Sequence, residues 1–173
     1  LVLTECKEIR RLLSNHEVVV DDRDEYSAGW KFNEWELKGV PIRIEVGPRD
    51  VELNQVVIVR RDTGKKQQVK MRELVKTVKE TLSSIQLNLY EKAKRFLREN
   101  TVEVNNWKEF TDAIDTGKLV KCVWCGDMKC EEAIKEKTGA TSRCIPFDQP
   151  KIDGNCPHCG KPAKLEIYFS KSY

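Results

Sequence analysis

Six of the seven cysteines in this 173-residue chain fall within its last third, which is typical of a metal site. The order is Cys122-x2-Cys125-x4-Cys130, then Cys144, then Cys156-x2-Cys159. Two thiolates two residues apart can bind one tetrahedral ion, and a glycine after the second lets backbone amides turn toward the sulfurs, as in CPHCG at 156–160. An odd, clustered set without a secretory signal favours a reduced compartment and a metal over a disulfide framework. Four thiolates would close the shell of a Zn²⁺ ion, so the site would be structural.

The second pair of ligands is open at this point. Spacing alone favours Cys122 and Cys125, because they repeat the C-x2-C of the knuckle at 156–159. A thioredoxin-like redox motif is a poorer fit, since that type uses one such motif at the start of a helix. His158 could also donate a ring nitrogen, but its place between two cysteines predicts that it points outward.

A second group of chemically useful side chains lies in GWKFNEWELKGVPIRIEVGPRD at 29–50. The pattern predicts a short helix that the preceding Ser27 can cap, a stop at Gly39, a strand with alternating apolar residues and a turn after Gly47-Pro48. The alternation turns Arg43 away from the core. The charged side chains on this stretch are Glu36, Arg43, Arg49 and Asp50. Pattern alone favours a solvated edge with incidental ion pairs. Trp30, Lys31 and Phe32 are weaker candidates for contact with a ligand. Trp30 and Phe32 are aromatic, and aromatic residues at helical spacing are more often core.

The surrounding elements alternate between helices and short strands, which indicates an α/β fold. Apolar spacing predicts helices over 1–13, 71–100, 107–115 and 130–137, and strands over 17–20, 55–60, 67–70, 119–124 and 164–169. The continuous run VVIV at 56–59 predicts a central strand with a neighbour on each side. The polar segment 100–106 predicts a boundary between a domain at 1–100 and a domain at 101–173.

Composition excludes several classes of protein. Hydrophobic residues make up 39% and charged residues 34%, which is ordinary for a soluble chain, and no apolar run has the length of a membrane span. A net charge of +3 is too small for a bare electrostatic nucleic-acid binder, so any RNA contact must depend on a local set of residues. There is no glycine-rich phosphate loop and no nucleophile-plus-base pair, so we expect no catalytic residue.

The stretch WKFNEWELKGVPIRIEVGPRD strongly resembles the anticodon-binding domain of the prolyl-tRNA synthetases found in archaea, eukaryotes and some bacteria. DDRDEYSAGWKF, VVIVRRDTGKK, the cysteine-rich segment and the terminal Ser-Tyr match the same family. The resemblance implies a mixed β-sheet of about five strands flanked by helices at 1–100, followed by a small α+β zinc-binding domain at 101–173. Family members open with an apolar strand that is missing here, so we expect a sheet with an incomplete edge or gap, or a chain cut from a longer polypeptide.

The resemblance also assigns roles to the candidate residues. The family reads the two guanines shared by proline anticodons with an acid on the helix, a basic residue on the strand and a basic–acidic pair in the turn. These positions fall on Glu36, Arg43, Arg49 and Asp50. Carboxylates suit the N1–H and N2–H donors of guanine, and arginine suits its O6 and N7 acceptors.

The family's zinc pattern uses the cysteine pair separated by four residues. The implied ligands are Cys125, Cys130, Cys156 and Cys159. Cys122 is then a buried thiol, and Cys144 is expected in the core.

The function implied by the resemblance is that of the C-terminal part of a proline–tRNA ligase. The parent would attach proline to tRNA with ATP and Mg²⁺ in a catalytic domain absent from this chain, which would be inactive alone. Its partners would be tRNA(Pro), that catalytic domain and a second copy in a homodimer, in the cytoplasm and away from membranes. The terminal Tyr173 is expected to reach toward the catalytic domain and to be partly disordered without it. The alternative is a free-standing synthetase-like RNA-binding or regulatory module.

Overall fold

The computed structural model describes residues 1–172, so the expectation for Tyr173 lies outside the described residues. The chain forms two compact units, Leu1–Lys92 and a second unit that begins at Ala93. The division falls within the long helix α4 (Leu74–Asn100). The division into domains at 1–100 and 101–173 stays a prediction.

The first unit has a three-stranded sheet with helices packed on it. Its elements are α1 (Val2–Leu12), α2 (Ala28–Leu37), β1 (Ile42–Glu45), α3 (Pro48–Glu52), β2 (Gln55–Arg60), β3 (Lys66–Lys70), a 3₁₀ turn (Met71–Glu73) and the first part of α4. The strand order is β1-β2-β3, and both pairings are antiparallel. The apolar run at 56–59 is therefore the central strand, as predicted. The sheet is smaller than the mixed, roughly five-stranded one that the resemblance implied, in line with the expected incomplete sheet.

The core of this unit lies on one face of the sheet. Its buried residues come from α1 and the residue that follows it, from β2 and β3, and from the start of α4: Ile9, Leu13, Val56, Ile58, Val69, Leu74 and Val78. Ile42 and Ile44 of β1 pack against this cluster. Because successive residues of a strand face opposite sides, Arg43 and Glu45 lie on the other face, which confirms the predicted alternation.

Two sequence predictions for this unit are wrong. The segment 17–20 belongs to no strand, because no other described strand pairs with it; Val18 packs on the core while Val19 is exposed. The expected turn after Gly47 is instead helix α3. Pro48 occupies its first position, where the fixed φ of proline suits a helix start, and the Asp50 carboxylate accepts the Gly47 N–H at 2.9 Å.

The second unit has a four-stranded mixed sheet. Its elements are β4 (Thr101–Glu103), α5 (Trp107–Asp115), β5 (Leu119–Trp124), α6 (Met128–Thr138), β6 (Ala140–Cys144) and β7 (Leu165–Lys171). The order is β4-β5-β7-β6, with β4 parallel to β5 and the other pairs antiparallel. Phe110 and Phe169 are both fully buried and meet edge to face with ring centroids 5.5 Å apart. No helix within residues 1–172 is long and apolar enough to cross a membrane.

Candidate nucleic-acid and metal sites

Arg43 is held between helix α2 and strand β1 by three contacts. Its NH1 group donates to Glu36 Oε1, and its Nε donates to Glu45 Oε1 at 3.0 Å. The guanidinium carbon lies 4.1 Å from the centre of the Phe32 ring, within the range of a cation–π contact. Phe32 and Glu36 are four residues apart on α2 and share one side of the helix. The Arg43 side chain is consequently only 18% exposed, and its orientation is fixed.

The charges continue across the outer face of the sheet. Arg43 is opposite Val59, and Val59 is opposite Lys66 in the strand register. Lys66 Nζ lies 3.1 Å from Glu45 Oε2. A line of alternating sign therefore runs from Glu36 through Arg43 and Glu45 to Lys66. A shallow hollow beside it is lined by Phe32, Trp35, Glu36, Val40, Arg43, Val59 and Arg61.

Arg49 and Asp50 lie in the first turn of α3, and their side chains differ in how many hydrogen bonds hold them. Both carboxylate oxygens of Asp50 accept hydrogen bonds, one from the Gly47 N–H at 2.9 Å and one from the Gln55 amide at 3.3 Å. The Arg49 side chain is exposed and forms no hydrogen bond or ion pair within residues 1–172. Arg49 can therefore turn toward a ligand, whereas Asp50 holds the helix start. Convergence of all four predicted residues on one face stays a prediction.

The loop before α2 carries a network that sequence reasoning missed. Arg23 forms a bidentate pair with Asp21 at 2.8 and 2.7 Å and also pairs with Glu34. The indole N–H of Trp35 donates to Asp21 Oδ2 at 2.8 Å. The hydrogen bonds from Arg23, together with that from Trp35, hold the pKa of Asp21 well below its usual range. The spacing Asp-x-Arg is the only sequence signal that points to this pair.

Trp30 belongs to this loop network and not to the core that its spacing suggested. Its ring stacks on Tyr26 at a centroid distance of 4.0 Å, and 45% of the residue is exposed. The Ser27 hydroxyl accepts the Trp30 N–H at 3.3 Å, which confirms the predicted start of α2. Gly39 has φ +85°, the left-handed conformation expected at the end of this helix.

Four cysteines of the second unit converge on one point. The sulfur atoms of Cys125, Cys130, Cys156 and Cys159 all lie within 4.8 Å of one another. The distance from Cys130 Sγ to Cys156 Sγ is 3.8 Å, and from Cys125 Sγ to Cys159 Sγ it is 3.6 Å. A tetrahedron with metal–sulfur distances of about 2.3 Å has edges of about 3.8 Å. A disulfide requires about 2.05 Å, so the geometry fits a tetrahedral metal site and not a pair of disulfides.

Local backbone structure positions these thiols. Cys125 directly follows β5, and Cys130 lies in the first turn of α6. In the loop that carries Cys156, its N–H donates to the Lys161 carbonyl at 2.8 Å, and the Gly160 N–H donates back to the Cys156 carbonyl at 2.9 Å. Gly160 has φ +71°, which allows this tight turn.

The thiols differ in acidity. Burial raises the pKa of both Cys125 and Cys130. For Cys159 burial acts in the same direction, but the Lys161 backbone hydrogen bond and contacts from neighbouring thiols lower its pKa overall.

The remaining cysteines lie outside this set. Cys122 is 3% exposed on β5, as expected of a buried thiol, and burial raises its pKa to about 12. Cys144 was expected in the core, but it is exposed. It ends the edge strand β6, just after a register shift between Ser142 and Cys144, so the regular alternation no longer fixes its side.

His158 points toward the cluster, which contradicts the expectation that it faces outward. Its Nδ1 lies 3.2 Å from Cys130 Sγ. The ring meets Trp107 at 61° with centroids 4.7 Å apart. This aromatic contact covers one side of the imidazole, and no sequence pattern around the knuckle showed it.

Comparison with known proteins follows the same division of the chain. Residues 2–81 match the family model of the anticodon binding domain, and residues 107–173 match that of the prolyl-tRNA synthetase C-terminal region. The chain is 44% identical to the proline--tRNA ligase of Oceanobacillus iheyensis over 172 residues and 47% identical to that of Alkaliphilus oremlandii over 174 residues. Each alignment covers 99% of this chain and 36% of the relative. Proline--tRNA ligase 2 of Clostridioides difficile is 45% identical over 157 residues, 90% of this chain and 33% of that protein.

Proposed function

Because the chain belongs to the prolyl-tRNA synthetase family, we propose that it recognises the anticodon of proline tRNA for an enzyme that attaches proline to tRNA. The observation that carries the proposal is the Glu36–Arg43 pair, oriented by Phe32 and Glu45 at a rigid helix–strand corner. It presents a carboxylate acceptor beside guanidinium donors. The Watson–Crick edge of guanine presents N–H donors beside the O6 acceptor, which is the complementary pattern.

Binding of guanine exchanges partners at this corner. The Glu36 side chain is 49% exposed, so its carboxylate can accept from N1–H and N2–H of an unstacked base. Arg43 then donates to O6 or N7 while its Nε keeps the bond to Glu45. The ion pair lost between the two side chains is replaced by charge-assisted hydrogen bonds to the base, which are stronger than neutral ones.

In this proposal, Arg49 and Asp50 bind the second guanine. Arg49 is exposed and unpaired among residues 1–172, so it can donate without breaking an existing bond. Asp50 would accept through Oδ1, whose bond to the Gln55 amide is the longer of its two at 3.3 Å, and would keep the helix-capping bond of Oδ2.

The side of α2 that carries Trp30 is an unfavourable surface for RNA. The adjoining loop, 21–25, reads DDRDE, and its one arginine is already paired with Asp21 and Glu34. Phosphates are repelled by such an acidic segment. We therefore place the RNA on the Arg43 side and assign Trp30 no role in binding.

The cysteine cluster is proposed to hold one structural Zn²⁺. All four protein ligands are thiolates, so no position stays open for a water or substrate, and the ion's contribution is to folding. ATP and Mg²⁺ are assigned to the catalytic domain of the parent polypeptide. A homodimeric parent in the cytoplasm completes the proposal.

The test is a titration of the chain with proline tRNA and with the same tRNA carrying adenines in place of the two anticodon guanines. We expect Arg43→Ala to weaken binding of the guanine form by about 1–3 kcal/mol, and that of the adenine form far less. Arg11→Ala is the control, because Arg11 also pairs with a glutamate, Glu8, but on α1. Equal binding of both RNAs by the wild type, or the same loss for both in Arg43→Ala, would reduce these residues to ordinary surface charge.

A further inference from the structure

We propose that Lys137 and His158 form a hydrogen-bonded relay that donates to the Cys130 sulfur and strengthens metal binding by the cysteine cluster. The relay rests on the proposed zinc site. It is a role for two residues outside the four thiol ligands, and it makes His158 a positioning group whose ring nitrogen does not coordinate the ion.

The relay is visible as three atoms in sequence. Lys137 Nζ lies 3.1 Å from His158 Nε2, and His158 Nδ1 lies 3.2 Å from Cys130 Sγ. Lys137 and Cys130 are seven residues apart on α6. Seven residues make nearly two full turns, so both side chains leave the same side of the helix with the imidazole spanning them.

The chemistry of lysine sets the direction of the relay. An ammonium group has three donors and no acceptor, so His158 Nε2 must accept from Lys137. A neutral imidazole that accepts at Nε2 carries its proton on Nδ1. That proton points at Cys130 Sγ, and the hydrogen bond fixes the orientation of this proposed ligand.

Packing fixes the ring in this orientation. Trp107, the first residue of α5, lies against the imidazole with ring centroids 4.7 Å apart, and Lys137 Nζ lies 5.7 Å from the centre of the same indole. Cys130 itself is only 6% exposed. Four thiolates around one divalent ion leave a net charge of −2, and a donor from a partly buried ring offsets part of that charge where little water can do so.

The test measures zinc affinity of the full chain by competition with a chromophoric chelator. We expect His158→Leu to weaken zinc binding about 10- to 100-fold, the range typical of second-layer partners of metal ligands. His158→Asn should recover most of this loss, because the asparagine amide places an N–H near the position of Nδ1. Lys137→Met should have a smaller effect in the same direction. Lys135→Met is the matched control, since Lys135 lies on the same helix turn and is exposed.

A second readout does not depend on whether a variant folds. Long-range ¹H–¹⁵N NMR of the zinc-loaded wild type reports which ring nitrogen of His158 carries the proton, and the relay requires Nδ1. Protonation at Nε2, or zinc affinity in His158→Leu within twofold of wild type, would overturn the relay. If the wild type itself bound no zinc, the proposed metal would fail as a separate result, before any variant was compared.

Discussion

The two units of this chain each gather a chemically useful set of side chains, but the sets are held by different forces. Glu36 and Arg43 come from consecutive elements and are oriented by each other, by Glu45 and by an aromatic ring. The thiols come from segments up to 34 residues apart and are brought together by backbone hydrogen bonds and a mixed sheet. In our proposal, a ligand at the first set replaces existing ion pairs, so that set would select between bases. In our proposal, a metal at the second set is bound by the four sulfurs, and its contribution would be to folding.

The largest expected effect is on the second unit. Cys159→Ser should lower the zinc content of the purified chain and destabilise this unit, because structural zinc supplies folding free energy directly. Cys122→Ser should retain zinc, because Cys122 lies outside the tetrahedral set. Metal analysis measures the zinc content, and amide hydrogen exchange on β5 and β2 distinguishes the two units. In Cys159→Ser, protection from exchange should fall in β5 and persist in β2. Loss of zinc in Cys122→Ser would restore the ligand pair Cys122 and Cys125 that spacing favoured.

A smaller effect is expected in acid, and it falls on the first unit. Arg60 holds the pKa of the Asp62 carboxyl down at about 2, with further help from Asn88. A lowered folded-state pKa stabilises the fold above the unfolded-state value of about 4 and loses that stabilisation as the pH falls toward 2.

Asp62→Asn should therefore reduce stability near neutral pH and flatten the decline between about pH 4 and 2. Urea unfolding at a series of pH values measures the free energy of unfolding and its pH dependence. Asp115→Asn in the second unit is the control. An unchanged pH dependence in Asp62→Asn would show that the Arg60–Asp62 pair contributes little to stability.

The smallest effect concerns the Phe32 ring, which the Arg43 guanidinium contacts. Phe32→Leu keeps an apolar side chain but removes the cation–π contact, worth about 0.5–1 kcal/mol at an exposed site. We expect the affinity for proline tRNA to fall severalfold and the zinc content to stay the same. Trp30→Leu is the matched control on the same helix and should leave RNA affinity unchanged. A larger loss in Trp30→Leu than in Phe32→Leu would move the RNA to the acidic side of α2.

Sequence reasoning reached the elements whose pattern is local. Alternation placed Arg43 away from the core, and the start of α2 at Ser27 followed from its capping chemistry. Sequence reasoning failed where the structure of a segment depends on which other strand pairs with it. The segment 17–20 has strand composition but no pairing strand among residues 1–172, whereas β4 and β6 are short, polar segments that become strands because β5 and β7 pair with them. Composition cannot carry this information, since a ladder depends on both of its strands.

The same limit applies to the candidate sites. Spacing alone favoured Cys122 over Cys130 as a ligand, because Cys122 and Cys125 repeat the C-x2-C motif. Spacing contains no information on the turn into α6 that brings Cys130 to the cluster. The inward orientation of His158 depends on Trp107 and Lys137, which are 51 and 21 positions away in sequence. Contacts of this kind appear only once the fold is known.

The most direct test of the central claim, that the Glu36–Arg43 corner reads guanine, is a double-mutant cycle with inosine. Inosine lacks the 2-amino group of guanine and therefore removes one donor that Glu36 is proposed to accept. The wild-type chain should bind proline tRNA more tightly than its inosine-substituted form by about 1–3 kcal/mol, whereas Glu36→Ala should bind both with similar affinity. The same preference for guanine in Glu36→Ala as in the wild type would contradict the account.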